Sequence, residues 1–360
     1  MKRLVLGLAC SMVAGVAIAD EVPAGKAPLE TSMSADGWYF SADGAWQSVK
    51  LPAYSLGFRR VAEPLFPDAG AFQTFNRHID GYMVRGAAGY FLPPAWSDTL
   101  FGANTRVEIG GLYGHASGSA SGTAVYTGGG VVTQTLDGAG ANGGYVCADF
   151  QHCTTNSNLS TSYSNWQFNG KIAGEYSIAA ISVAPSLAIF GGKARVNQTL
   201  AQTIQIGVAA TTPTYDASTS LRWRDVGARA GLDLKFEVIP RVEVGLGGWA
   251  GFAGRRASLD GTDLAVDHVV GLMAGDSAIS SSANATPFLA NAEAGVAFKW
   301  LPALTVRGFT GLNYDSKTPG IASSSFTGGI GGGITSRTPA HITFHAETSF
   351  YAGGGITWTF

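Results

Sequence analysis

The chain has 360 residues, of which 50 are Gly and only 13% are charged, with a formal net charge of −2. Its bases never cluster beyond a pair along the sequence, so nucleic-acid binding has no electrostatic footprint. Low Glu and Lys content with abundant Gly, Ser, Thr, Asn and aromatics argues against helical domains and for an all-β chain.

At the N-terminus, Lys2 and Arg3 precede the apolar run Leu4 to Ile18 and the small-x-small site Ala17-Ile18-Ala19, which together describe a cleaved secretory leader over 1–19. Cys10 follows too short a run, with Gly7 before it, for a lipoprotein site. The mature chain is expected to begin at Asp20, with a short periplasmic segment over 20–36 and a single domain over 37–360. Past the leader, no apolar run reaches the about 18–20 residues that a spanning helix needs.

Period-2 alternation starts in Gly37 to Lys50, where Trp38, Phe40, Ala42, Gly44 and Trp46 share a face. Trp38 and Trp46 are separated by about the height of a lipid-facing band and read as girdle residues. Ile79 to Phe91 aligns Tyr82, Val84, Gly86, Ala88 and Tyr90; after the Pro-marked connection at 92–96, Thr105 to His115 aligns Val107, Ile109, Gly111 and Tyr113. Asn165 to Ser177 alternates most cleanly, with Trp166, Phe168, Gly170 and Ile172 against Gln167, Asn169, Lys171 and Glu175. Ile181 to Val196 turns Val183, Leu187 and Ile189 one way, with Pro185 removing one ladder donor.

Arg224 to Val238 sets Val226, Ala228, Ala230, Leu232, Leu234 and Phe236 against Asp225, Arg229, Asp233 and Lys235. Beyond the tight turn Ile239-Pro240-Arg241, the run Val242 to Phe252 sets Val244, Leu246 and Ala250 against Glu243 and Trp249. Phe288 to Trp300 sets Ala290, Ala292, Ala294, Val296 and Phe298 against Asn291, Glu293 and Lys299. Leu304 to Tyr314 follows Leu301-Pro302-Ala303, and the last strand runs from about Ile342 to Phe360.

About ten strands result, an even number that returns the C-terminus to the side of the N-terminus. Short connections near 92–98, 178–181, 239–241 and 301–303 alternate with long polar ones near 51–77, 116–162, 197–222, 254–285 and 315–340. These are expected to be periplasmic turns and extracellular loops of a transmembrane antiparallel up-and-down β-barrel. Thr123 to Thr127 and Val131 to Leu136 flank three glycines like a hairpin, which would raise the count to twelve if it crossed the membrane. A soluble β-sandwich is the rival, but it needs large core side chains where these faces mix Gly and Ala with aromatics.

From Phe350 to Phe360, every second residue is apolar, small or aromatic, closing on Trp358 and Phe360. This ending resembles the C-terminal insertion signal of Gram-negative outer-membrane β-barrel proteins, porins among them. The resemblance implies location in the outer membrane after Sec-type export, recognition by the barrel-assembly machinery, and contact with outer-membrane lipid and lipopolysaccharide.

Glu243, Glu293 and Arg307 come from consecutive strands and, with Arg229 and Glu347, are the candidates for lining the lumen. A ten-stranded interior is narrow, so these ions either brace the wall or line a thin path. The expected function is a porin-like channel for small solutes or ions, or a structural barrel, monomeric, with no cofactor, no metal and no catalysis. Adhesion or recognition through the outer loops, such as 51–77 with Arg59, Arg60, Phe66 and Phe72, is the alternative. A barrel-type hydrolase comes after it. His345, Glu347 and Ser349 run along one strand instead of converging, His341 and His345 lie about 13 Å apart on an extended chain, and the Asp and His motifs of omptin-type proteases have no match. Cys147 and Cys153, spaced C-x5-C in an exported chain, are expected to be bridged; His152 alone does not complete a metal set.

Overall fold

The computed structural model describes residues 37–57, 72–93, 105–127, 130–131, 136–137, 146–147, 152–178, 181–206, 214–266, 273–329 and 333–360. The expected leader, the segment 20–36 and the side chains of Cys147 and Cys153 lie outside the described residues. Every regular element described is a strand. The first half holds β1 (Gly37–Gly57), β2 (Phe72–Phe91), β3 (Arg106–Thr127), β4 (Gly130–Val131), β5 (Val146–Cys147), β6 (His152–Ala173), β7 (Tyr176–Ile178) and β8 (Ile181–Ile206). The second half holds β9 (Thr214–Ile239), β10 (Val242–Val266), β11 (Met273–Ala285), β12 (Phe288–Leu301), β13 (Leu304–Ala322), β14 (Ser325–Gly329), β15 (Gly333–Thr338) and β16 (His341–Thr359).

Ten strands close an antiparallel ring in the order β1-β2-β3-β6-β8-β9-β10-β12-β13-β16, and β16 pairs back onto β1 from Tyr39↔Thr359 to Ser48↔Phe350. Among the described residues, closure leaves no unpaired edge along the lipid-facing stretch of the ring, the condition for spanning a bilayer with strands. β11 carries on the edge of β12 along β10, and the β14-β15 ribbon prolongs the β13-β16 hairpin. The short connections gather at the end that holds Gly37 and Phe360. There Arg241 takes φ 73° after Pro240, which suits the second central residue of a two-residue reversal.

The alternation in β9 shows where the membrane lies. From Asp225 to Phe236 the outward positions are apolar and the inward ones include Asp225, Arg229, Asp233 and Lys235. Above Asp225 the same two faces continue with their polarity exchanged: Tyr215, Ala217, Leu221 and Trp223 are buried inside, while Asp216, Ser218, Arg222 and Arg224 face out. A face against lipid must be apolar and a face against water is polar, so the switch between Arg224 and Val226 marks the exit from the bilayer. The apolar stretch has the about 9–11 residues that a tilted strand needs to cross. Val226 is 72% exposed, Ile189 70% and Ile109 71%, values that only a non-aqueous surrounding accommodates around a whole ring.

Aromatic belts bound this band. Trp38–Tyr90, Phe40–Phe360 and Phe298–Trp300 meet at the short-turn rim; Trp46–Phe350, Tyr82–Tyr113 and Phe252–Phe288 meet at the other. Trp38 and Trp46 thus sit in opposite belts, as the sequence spacing predicts. Phe360 joins the seam: its amide donates to the Trp38 carbonyl (2.9 Å) and its ring meets Phe40 edge-on. Replacing Phe360 with Asp is expected to lower the yield of heat-modifiable barrel several-fold in whole-cell gel-shift assays, because a charge would stand at a lipid-facing position. Undiminished yield would remove the insertion role assigned to this residue.

Much of what is described of the segments expected to be long loops is strand. β6 begins at His152, β8 runs to Ile206, β9 starts at Thr214 and β10 reaches Val266. These extensions build a second storey above the membrane, whose interior is one apolar cluster including Leu51, Leu159, Leu200, Ile204, Leu259 and Ile342. Each fully buried aliphatic or aromatic side chain there contributes about 1.5–3 kcal/mol. Leu136 from the 116–162 connection packs into this core, and its amide donates to the buried Asp263, which also accepts from the Tyr215 and Ser277 hydroxyls. Burial, with Asp263 alongside, pushes the Tyr215 phenol well above its ordinary pKa and keeps it a donor. The twelve-strand alternative is corrected by the same facts: Thr123 to Thr127 prolongs β3 against β6, and Leu136 caps the core instead of crossing the membrane.

Candidate functional site

Below the apolar storey the lumen is polar. A cavity of about 810 Å³ runs from Thr305, Thr357 and Lys299 at the short-turn end up to Tyr163 and Trp223 under the core. All five sequence candidates, Glu243, Glu293, Arg307, Arg229 and Glu347, line it.

The ring brings most of them into ion pairs. Asp43 on β1, nearly buried, accepts a two-pronged bond from Arg307 on β13 (3.0 and 2.6 Å) and another from Arg85 on β2 (3.2 Å). Gly355 stands opposite Asp43 in the register; a Cβ there would lie 1.9 Å from the Asp43 carboxylate, so only glycine leaves it room. Arg85 reaches across to Glu293 on β12 (2.6 Å), which also accepts from the Tyr351 hydroxyl (2.8 Å). The Arg85 guanidinium lies 4.4 Å from the centre of the Phe309 ring. Five strands are tied together across the seam by this one cluster.

Elsewhere, Glu108 holds Lys171 (2.9 Å) and the Tyr39 hydroxyl, while Arg106 faces Glu175 at 3.8 Å. Arg255, nearly buried under the apolar core, binds Asp225 with both prongs and Asp315 at 2.7 Å. Glu243 pairs with Lys299 near the short-turn rim (2.6 Å), and Glu347 pairs with Lys50 (2.9 Å). Arg229 is held by aromatic faces, 4.4 Å from the Trp249 ring centre and 5.5 Å from that of Phe190. Chemically, such a lumen braces itself. Paired ions at this depth offset their own desolvation and leave little free field for a passing solute.

Asp43, Arg85, Tyr39, Tyr351 and Arg255 did not stand out in the sequence, although each has the inward parity of its strand. His345 bonds Thr343 (3.1 Å) and His341 bonds the Pro339 carbonyl (3.1 Å), both on exposed surface, so neither is drawn into the lumen clusters.

No protein-family model and no curated protein matches the chain. Among solved structures, the outer membrane protease OmpT from Escherichia coli aligns over 91% of this chain and 98% of its own, with 13% identity and a TM-score of 0.43. A FadL homologue from Pseudomonas aeruginosa aligns over 90% of both chains at 8% identity and TM-score 0.24, and an anion-selective porin from Comamonas acidovorans over 90% and 98% at 9% and 0.16. The closed ring, the lipid-facing band and its two belts decide the class. The chain folds as a transmembrane β-barrel, the architecture of those outer-membrane proteins.

Likenesses this low transfer no residue role. They do correct one expectation: a protease stands among the similar barrels, so the exclusion of catalysis drawn from the sequence does not hold for a chain of this fold.

Proposed function

We propose that the barrel is closed and works at the cell surface, through the storey that projects above the membrane and its rim, and that solutes do not pass along its axis. The observation that carries this reading is the apolar cluster spanning the ring above the lumen, with Leu159, Leu200, Ile204 and Leu259 at 1% exposure or less. Water and ions are excluded from such packing. The outer wall of the same storey is polar and presents strands where sequence reading expects loops, which suits a rigid recognition platform.

Purified protein reconstituted in liposomes is expected to cause no more swelling in small sugars than empty liposomes do. Swelling that scales with protein content would overturn the closed reading. The small-solute channel expected from the sequence keeps one favourable observation, the 810 Å³ cavity below the core, and would require that core to move aside.

A further inference from the structure

Five bases from three strands meet on the outer wall just above the lipid-facing band. Lys193 on β8 stands directly opposite Arg224 on β9, and Arg224 opposite Arg256 on β10, so the three form one row across adjacent strands. One row higher, Arg195 stands opposite Arg222. Strands lie about 4.8 Å apart, which confines three like charges to about 10 Å; by itself that arrangement is destabilising. Compensation within the chain is slight. Arg195 bonds Asn197 and Ser220, Arg222 faces Asp260 at 3.9 Å, and the Lys193 ammonium lies 5.6 Å from the Trp166 ring centre. Arg224 and Arg256 have no acidic partner among the described residues.

The height of the row is fixed by its neighbours. Tyr113 pairs with Trp166 and Trp166 with Lys193, so the bases continue the upper aromatic belt at the level of lipid headgroups. In the outward row beneath, Gly191 and Gly254 flank Val226. A Cβ on either would meet nothing nearer than 3.8 Å, so two open grooves lead down to the apolar faces of Ile189 and Phe252. Above the bases, the cross-strand rows Ser162-Asn197-Ser220 and Ser160-Thr199-Ser218 present hydroxyls and amides.

We propose that this wall binds a phosphorylated glycolipid of the outer leaflet, of the lipid A kind. Its phosphates sit on Lys193, Arg224 and Arg256, its acyl chains follow the grooves at Gly191 and Gly254, and its sugars lie against the hydroxyl rows. Guanidinium forks match phosphate oxygens, and a bound anion removes the repulsion within the row. Electrostatic attraction to a membrane surface is worth about a factor of five per base, so loss of three bases weakens binding about a hundredfold.

The folded protein in neutral detergent micelles would be titrated with fluorescent bisphosphorylated lipid A, with dephosphorylated lipid A and inorganic pyrophosphate as the other probes. The expected result is tight binding of the bisphosphorylated form, at least tenfold weaker binding of the dephosphorylated one, and no competition from pyrophosphate at equal concentration. The triple variant Lys193→Gln, Arg224→Gln, Arg256→Gln should lose about a hundredfold while Lys317→Gln loses nothing. A second variant, Gly254→Val, keeps every charge, obstructs one groove and should weaken lipid A several-fold; it preserves the test if the triple variant folds poorly. Unchanged affinity in both variants would overturn the site, and pyrophosphate competing on equal terms would make it a site for a soluble phosphate instead.

Discussion

Replacing Leu259 with Asp is expected to destabilise the projecting storey by at least about 4 kcal/mol, because the site is fully buried and offers a carboxylate neither water nor a partner. Leu259 stands opposite Leu221 on β9 and belongs to the one cluster that fills the ring above the membrane. The milder Leu259→Ala should cost about 3 kcal/mol through the cavity it leaves. Limited proteolysis of the refolded barrel reads both effects: cleavage should appear within 254–285 while the lipid-facing band stays protected. Equal protection of variant and parent would mean that the upper storey does not depend on its apolar interior.

Replacing Asp43 with Ala is expected to cost about 3 kcal/mol, at the low end for a broken buried ion pair, since Arg307 keeps some contact with water. The change leaves Arg307 without either prong of its bond and Arg85 with Glu293 alone. The cluster ties the β1–β16 seam to β2, β12 and β13, so the loss should appear as a lower urea midpoint of the whole barrel in liposomes. The double variant Asp43→Ala, Arg307→Ala should recover part of it, because no unpaired charge remains. A midpoint within experimental scatter of the parent would assign the cluster no structural weight.

The membrane-crossing half of the fold was legible because lipid and lumen impose opposite demands on alternate residues. Val226 to Phe236 and Phe288 to Trp300 carry that demand in plain form, and parity alone placed Glu293 and Arg307 on the inner face. The upper storey was not legible. There the outer face meets water, so Asn156, Asn158, Ser160 and Ser162 give β6 the look of a polar loop, and the inward Thr155, Ser157, Leu159 and Thr161 are too mixed to announce a core. Its traces were Val196, Leu200 and Ile204 on β8, interrupted on the same face by Gln198 and Gln202, and Tyr215, Ala217, Leu221 and Trp223 on β9, where Asp216, Ser218, Arg222 and Arg224 stand between them. Ion pairs were further out of reach. Arg85 and Glu293 sit on strands that are not neighbours in the ring, so their meeting depends on its diameter and closure. The basic row on β8, β9 and β10 likewise exists only through register, which is why the sequence showed no cluster larger than a pair.

Single-channel recording in planar bilayers with potassium chloride tests the closed barrel most directly. The refolded protein, heat-modifiable and therefore inserted, should give no conductance steps over a wide range of voltage, and Glu243→Gln, Glu293→Gln and Arg307→Gln should be equally silent. Reproducible steps whose ion preference moves with those three substitutions would contradict the closed lumen and make it a conducting path lined by them.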